Sequence, residues 1–439
     1  MRRTILTAVA LLFALGASAQ EGPWTLARCI EHALDNNLSI KQSDLNVAQR
    51  EIAVNTAESM RLPSLSASSS QNFSFGRGLT EDNTYTNTNT TSTSFSIGSD
   101  VPVFNGFQIK NNIELSRLDL QAATADLEKA KDDISVAVAQ AYVQILYNRE
   151  ILGVAREQVS IDSLQVERLR EMAANGKSSR AEVSAQEATL AQSRVSTVQA
   201  ANNLSLSVLE LTQLLELGSP EGFDVVAPDV SSLTPRALMA PEAIYAEAVG
   251  VKPAIKAEEI RLESALKNID LAKGAFLPTL SLGGGLGTNF NTASGIPHKA
   301  FFNQLSTKFS QYVSLNLNIP IFSRFSNRNQ LRSAELSRVN QEIQLENVKK
   351  TLFKEIQQAY YSAVASQEKY RSNGIAEQSA KDAFELVQAK YETGKAGITE
   401  FNESKARYMS AASNLVQARY EYLYQSKLLD FYRGIALDF

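Results

Sequence analysis

Protein chemistry needs nucleophiles, metal ligands or phosphate cradles at matched spacing, and this chain offers few of them. Its two histidines, His32 and His298, lie far apart in sequence with no metal-ligand or triad spacing around either. Cys29 is the only cysteine, which excludes an internal disulfide framework and any cysteine-based metal site. Gly283-Gly284-Gly285 is not followed by a helix with the Lys-Ser/Thr signature of a phosphate loop. It reads instead as the interior of a strand, where small residues allow close packing. The expectation is a protein that is not an enzyme and carries no cofactor or metal.

What the residues do repeat is architecture. Leu62-Pro63-Ser64-Leu65-Ser66 returns as Leu277-Pro278-Thr279-Leu280-Ser281, and Val101-Pro102-Val103-Phe104 returns as Ile319-Pro320-Ile321-Phe322. Ala141-Tyr142 returns as Ala359-Tyr360, and Asn175-Gly176-Lys177 as Thr393-Gly394-Lys395. From the second pair to the last the offset stays at 218 residues, so a structural unit has been duplicated. Each copy reads helix, strand, strand, very long helix, helix. Two strands per copy make four per chain, too few to close a barrel.

Residues 1–19 read as a secretory signal. Arg2 and Arg3 precede an apolar run from Ile5 to Leu15, and Ala17-Ser18-Ala19 supplies the small-residue cleavage pattern. That run is shorter than the roughly 20 residues a membrane helix needs. Arg28 before Cys29 is a poor match to a lipoprotein cleavage site, so acylation is not expected. The formal net charge is -4, and losing the two signal arginines makes it -6, which argues against a nucleic-acid partner.

The first repeat is placed at 20–219, a Pro-rich linker at 220–253 and the second repeat at 254–439. Strands are expected over about 63–76, 93–104, 278–290 and 309–322, long helices over about 106–175 and 326–392, and shorter ones over about 178–217 and 398–432. Helical patterns also cover 25–59 and 254–273. In the strands Phe95, Ile97, Ser99, Val101 and Val103 alternate with Ser94, Ser96, Gly98, Asp100 and Pro102, and Val313, Leu315, Leu317, Ile319 and Ile321 alternate with Ser314, Asn316, Asn318 and Pro320. Each run has about the 10 residues of a tilted membrane strand.

Aromatics gather at both ends: Phe73, Phe75, Phe309 and Tyr312 toward long polar loops, and Phe104, Phe107, Phe322 and Phe325 toward the helices, as interfacial girdles would. The first long helix carries two apolar seams. Ile113, Leu120, Leu127, Ile134 and Ala141 form one; Leu118, Ala125, Ala139 and Leu146 form the other, broken by Asp132. Two seams suit a closed cylinder of helices, in which each helix touches a neighbour on either side. Asn105 and Ser323 are expected as N-caps of the long helices. The Pro-rich linker holds five prolines between Pro220 and Pro253 and is expected to be irregular.

The duplication, the Leu-Pro-x-Leu starts of the odd strands, the Pro-x-Phe ends of the even strands at Pro102 and Pro320 and the glycine breaks, in this order, resemble the TolC family of outer-membrane efflux ducts. The resemblance covers essentially the whole mature chain. It implies a mostly α protein with a membrane β-barrel portion, and a homotrimer with a 12-stranded barrel continuous with a 12-helix α-barrel in the periplasm. It agrees with the strand count, because in lipid a sheet must close to pair its edges.

By the same resemblance, Pro63, Pro102, Pro278 and Pro320 sit at the barrel–helix junctions. Gly176-Lys177 and Gly394-Lys395 are the periplasmic hairpin tips, where an adaptor (membrane fusion protein) docks. Acidic residues just past the tips line an aperture, and the matching positions are Glu182, Glu400 and Glu403. A ring of carboxylates would favour cations. Where family members often carry a latch arginine this chain has Ala396, with Lys395 or Lys177 left to substitute. The implied function is a passive duct serving an adaptor and an inner-membrane transporter in efflux or type I secretion. The rivals are a structural or adhesive coiled-coil protein of the periplasm, and an adaptor, for which the lipoyl-like and small barrel modules are missing. The substrate is not written in the chain.

Overall fold

A computed structural model describes residues 22–79, 83–228, 235–294 and 296–438. The expected signal peptide lies outside these residues. The chain forms two units. One comprises residues through Leu45, Ala125–Lys256 and Asn347 onward; the other comprises Asn46–Thr124 and Ala257–Glu346.

The second unit holds the sheet. Strands β1 (Ser64–Ser74), β4 (Thr90–Asn105), β5 (Thr279–Ala293) and β6 (Ser310–Asn318) pair antiparallel in the order β1-β4-β5-β6. A small ribbon, β2 (Arg77–Leu79) with β3 (Tyr85–Asn87), sits in what reads from sequence as loop. The register sorts the side chains into two faces. Leu65, Ile97 and Leu286 fall on one, and Ser68, Ser96, Gly287 and Ser310 line up across the other.

Three sequence expectations change here. The strand expected over 309–322 stops at Asn318, because its partner β5 starts at Thr279, right after Pro278, which has no N–H to continue the ladder. Pro320 therefore lies beyond the strand. Pro102, expected at a strand end, lies inside β4 beside a bulge between Pro102 and Phe104 that absorbs the missing donor. Tyr312 is not part of a girdle on the apolar face. It lies in the row of Ser66, Gly98 and Gly285, where a Cβ on Gly285 would come within 2.8 Å of its ring.

The corners from strand to long helix are duplicated in detail. Gly106 and Phe107 both have positive φ before helix α3 (Gln108–Ala174), as do Arg324 and Phe325 before α8 (Ser326–Glu392). Asn105 Oδ1 accepts the Ile109 N–H at 3.3 Å, and Ser323 Oγ accepts the Asn327 N–H at 3.3 Å, so both residues close their helix starts. Gly106 has a second reason to lack a side chain. It crosses Gly274 so closely that a Cβ on Gly106 would run into the Gly274 oxygen and stand 3.0 Å from the Leu277 Cβ.

The rest of the described chain is helical. The pattern expected as one helix over 25–59 is two, α1 (Leu26–Asn36) and α2 (Leu38–Ser59). Asn37 divides them by donating to the Leu214 carbonyl at 3.0 Å while accepting the Ser39 N–H at 2.9 Å. Helix α4 (Arg180–Leu214) returns from the first tip, and α9 (Ile398–Tyr432) from the second. The linker expected to be irregular contains α5 (Pro241–Val251), and α6 (Pro253–Gly274) follows it. Each proline occupies the first helical position, where its missing N–H costs nothing. A short helix α7 (Phe301–Thr307) lies in the long β5–β6 connection.

Cys29 is fully buried in α1, and burial pushes its thiol pKa up to about 12, so it is a packing residue rather than a nucleophile. Asp132, which breaks the second seam of α3, takes the Lys252 ammonium at 3.0 Å, and that ammonium also stands 3.6 Å from the centre of the Phe431 ring. No described helix is long and apolar enough to cross a membrane.

Candidate aperture at the hairpin tips

Both tips are the same backbone device. After α3 the Gly176 N–H bonds to the Ala173 carbonyl at 3.0 Å and the Lys177 N–H to the Met172 carbonyl at 2.8 Å. After α8 the Gly394 N–H bonds to Tyr391 at 3.1 Å and the Lys395 N–H to Lys390 at 2.8 Å. This is the Schellman closure, which satisfies the last carbonyls and requires a residue at positive φ. Gly176 has φ +70° and Gly394 +73°, with open space where a Cβ would be, so conformation rather than crowding demands glycine. Lys177 and Lys395 are exposed.

The three carboxylates do not share one environment. Glu182 is the third residue of α4 and closes a capping box: its Oε2 accepts the Ser179 N–H at 2.9 Å and the Ser178 hydroxyl at 2.6 Å, and its own N–H bonds to Ser179 Oγ at 3.2 Å. The Ser178 hydroxyl and then the Ser179 amide hold its carboxyl below the usual range. Glu400 occupies the same third position of α9, but the cap there is Gly397, which has no side chain to reciprocate. Glu403 is exposed one turn on, with Arg407 at 3.9 Å. Ala396 packs on an aromatic cluster of Phe384, Tyr391, Phe401 and Tyr408.

Sequence reasoning missed what joins the two hairpins beside the tips. Arg168 of α3 lies over the Tyr391 ring, 4.9 Å from its centre, and donates to the carbonyls of Tyr391 (3.4 Å) and Glu392 (3.0 Å), where α8 presents the negative end of its dipole. Gln165 donates to the Tyr391 hydroxyl. One turn away, Asp162 of α3 (0 % exposed) pairs with Lys405 of α9 (2 %). Ser193 and Gln186 of α4 also donate to that carboxylate, Gln186 at 3.2 Å, and Asn402 of α9 donates to Gln186 at 3.0 Å. Further along, Glu150 of α3 accepts from Arg419 at 3.1 Å and from the Tyr420 hydroxyl at 2.5 Å. The helices that carry the acidic residues are thus held by side chains from the first hairpin.

A family model for outer membrane efflux proteins matches residues 29–216 and 244–434, nearly all of both repeats, leaving out 217–243 between them. The chain belongs to the outer membrane efflux protein family. It is an outer-membrane protein of an efflux-channel family, and its relatives are similarly remote in sequence and close in fold. Outer membrane protein TolC of Vibrio cholerae is 24% identical over 321 residues, 72% of each chain. Outer membrane efflux protein BepC of Brucella suis is 22% identical over 412 residues, 92% of this chain and 84% of its own. Among solved structures, the Campylobacter jejuni CmeC outer membrane channel superposes with a TM-score of 0.78 at 17% identity, covering 93% of this chain and 85% of its own. CusC gives 0.77 at 19% identity with 95% of each chain covered. The family match spans the tips, the buried ion pair and every strand.

Proposed function

We propose that three copies of this chain close a 12-stranded barrel in the outer membrane and a continuous helical cylinder below it, forming a passive export duct. The observation that carries this is the open sheet. β1 and β6 each pair on one side only, leaving two rows of backbone donors and acceptors with no partner in the four-stranded order. One face is apolar and, away from the short helix α7 that packs on Phe95 and Phe290, uncovered: Leu65 is 79% exposed and Val313 83%. A sheet with an apolar face and open edges is stable in lipid only when other copies pair with those edges. The helices are unfinished in the same way. Leu38, Leu45 and Ile52 of α2 repeat every seven residues and are exposed, as are Leu336 and Ile343 of α8.

The tips at Gly176-Lys177 and Gly394-Lys395 are then the docking points for a periplasmic adaptor and, through it, an inner-membrane transporter. Glu400 and Glu403 line the aperture, with Glu182 set back as a helix cap. A coiled-coil structural protein would have no use for a sheet with one apolar and one polar face. Membrane fractionation followed by unheated gel electrophoresis tests the reading. An outer-membrane fraction with a heat-dissociable trimer is expected; recovery as a soluble monomer would contradict it.

A further inference from the structure

The four-stranded sheet carries one charged side chain. β1, β4, β5 and β6 contain no lysine, arginine, histidine or glutamate, and Asp100 is their only carboxylate. The register sets Asp100 opposite Ser64 of β1 and Gly283 of β5, with Ser314 of β6 next in the row. Directly paired residues share a face, so the carboxylate belongs to the polar side and not to the lipid side.

Its surroundings keep it in place and uncovered. β4 is hydrogen-bonded to a strand on each side, and the Ser64 hydroxyl donates to the Asp100 carbonyl at 3.3 Å. A Cβ on Gly283 would stand 3.5 Å from Asp100 Oδ2 and 2.9 Å from Ser314 Oγ, so any larger residue there would crowd the row. The neighbouring row on that face is neutral, Ser66, Gly98, Gly285 and Tyr312. The residue 218 positions further on is Asn318, so the second repeat supplies no matching charge.

We propose that Asp100 is a charge-selectivity determinant in the barrel, separate from the tips. In the closed trimer three Asp100 carboxylates ring the lumen wall, drawing in cations and cationic substrates and retarding anions. The inference rests on the trimeric duct described above.

Full-length protein reconstituted into planar bilayers under a KCl gradient tests it through the reversal potential. Asp100→Asn is expected to lower the K+/Cl− permeability ratio about threefold, and Asp100→Arg to carry it further toward chloride, with the unheated trimer band retained. Combining Asp100→Asn with Glu400→Ala and Glu403→Ala is expected to lower it beyond either alone. Asp100→Cys, treated with a cationic thiol reagent, gives the same reading where the arginine does not assemble, since Cys29 is buried and does not compete. Conducting channels with the wild-type ratio in Asp100→Asn, or no response of Asp100→Cys to the reagent, would overturn the assignment and leave the duct standing. Wild-type protein that forms no channels would overturn both.

Discussion

Asp162 and Lys405 have left water almost completely, and an ion pair in that position is tolerated only while both charges and their hydrogen bonds are present. Lys405→Met strands the carboxylate and is expected to cost about 3–5 kcal/mol, whereas adding Asp162→Leu recovers much of the loss. A double-mutant cycle on unfolding of the detergent-solubilised protein reads this; additive losses would mean the pair is not coupled. The pair had a trace in the sequence. Asp162 continues the seven-residue series that runs from Ile113 to Ala141, as Asp132 interrupts the other seam, and both turn out to hold a buried lysine. A charge on a core seam names one partner, but only the fold brings up the other. Glu182 is a different case, since its folded pKa is lowered. Its contribution to the α4 cap is present above the unfolded carboxyl value of 4.5 and fades as pH falls through the lower folded value. Hydrogen-exchange protection factors in the first turn of α4 should therefore drop on acidification below that range, while those of α9, capped by Gly397, hold; a parallel drop in both would contradict the cap.

The elements most legible in the sequence are those specified locally. The long proline-free helices and the glycine tips need only their own residues, and Gly176→Ala or Gly394→Ala is expected to cost about 1–2 kcal/mol by forcing a Cβ into the left-handed region. Fraying of the last turn of α3 or α8, seen by hydrogen exchange, together with weaker adaptor binding is the expected result, and unchanged exchange would remove the Schellman closure from the account. Less legible are elements whose ends are set by a neighbour. β6 stops where β5 runs out of donors at Pro278, although its own residues alternate through Ile321. The break at Asn37 depends on the Leu214 carbonyl, distant in sequence, and α5 was hidden because Pro241 reads as a breaker when it is a first-turn residue.

At the scale of the whole molecule, duplication makes the repeats similar and function makes them differ. Both tips share one backbone closure, yet only the first carboxylate is committed to a capping box, and only the first repeat places a charge in the sheet. Three chains would therefore give a pseudo-sixfold wall with threefold charge. The strand count makes an assembly legible in the sequence, while the buried network between the hairpins is not, because it joins α3 to helices from the far end of the chain. One chain, in the proposed duct, is an incomplete third of a closed barrel. Native mass spectrometry of the protein extracted from outer membranes should show a complex of three chain masses; a population of single chains that still conducts in bilayers would mean that one chain suffices and the trimer is wrong.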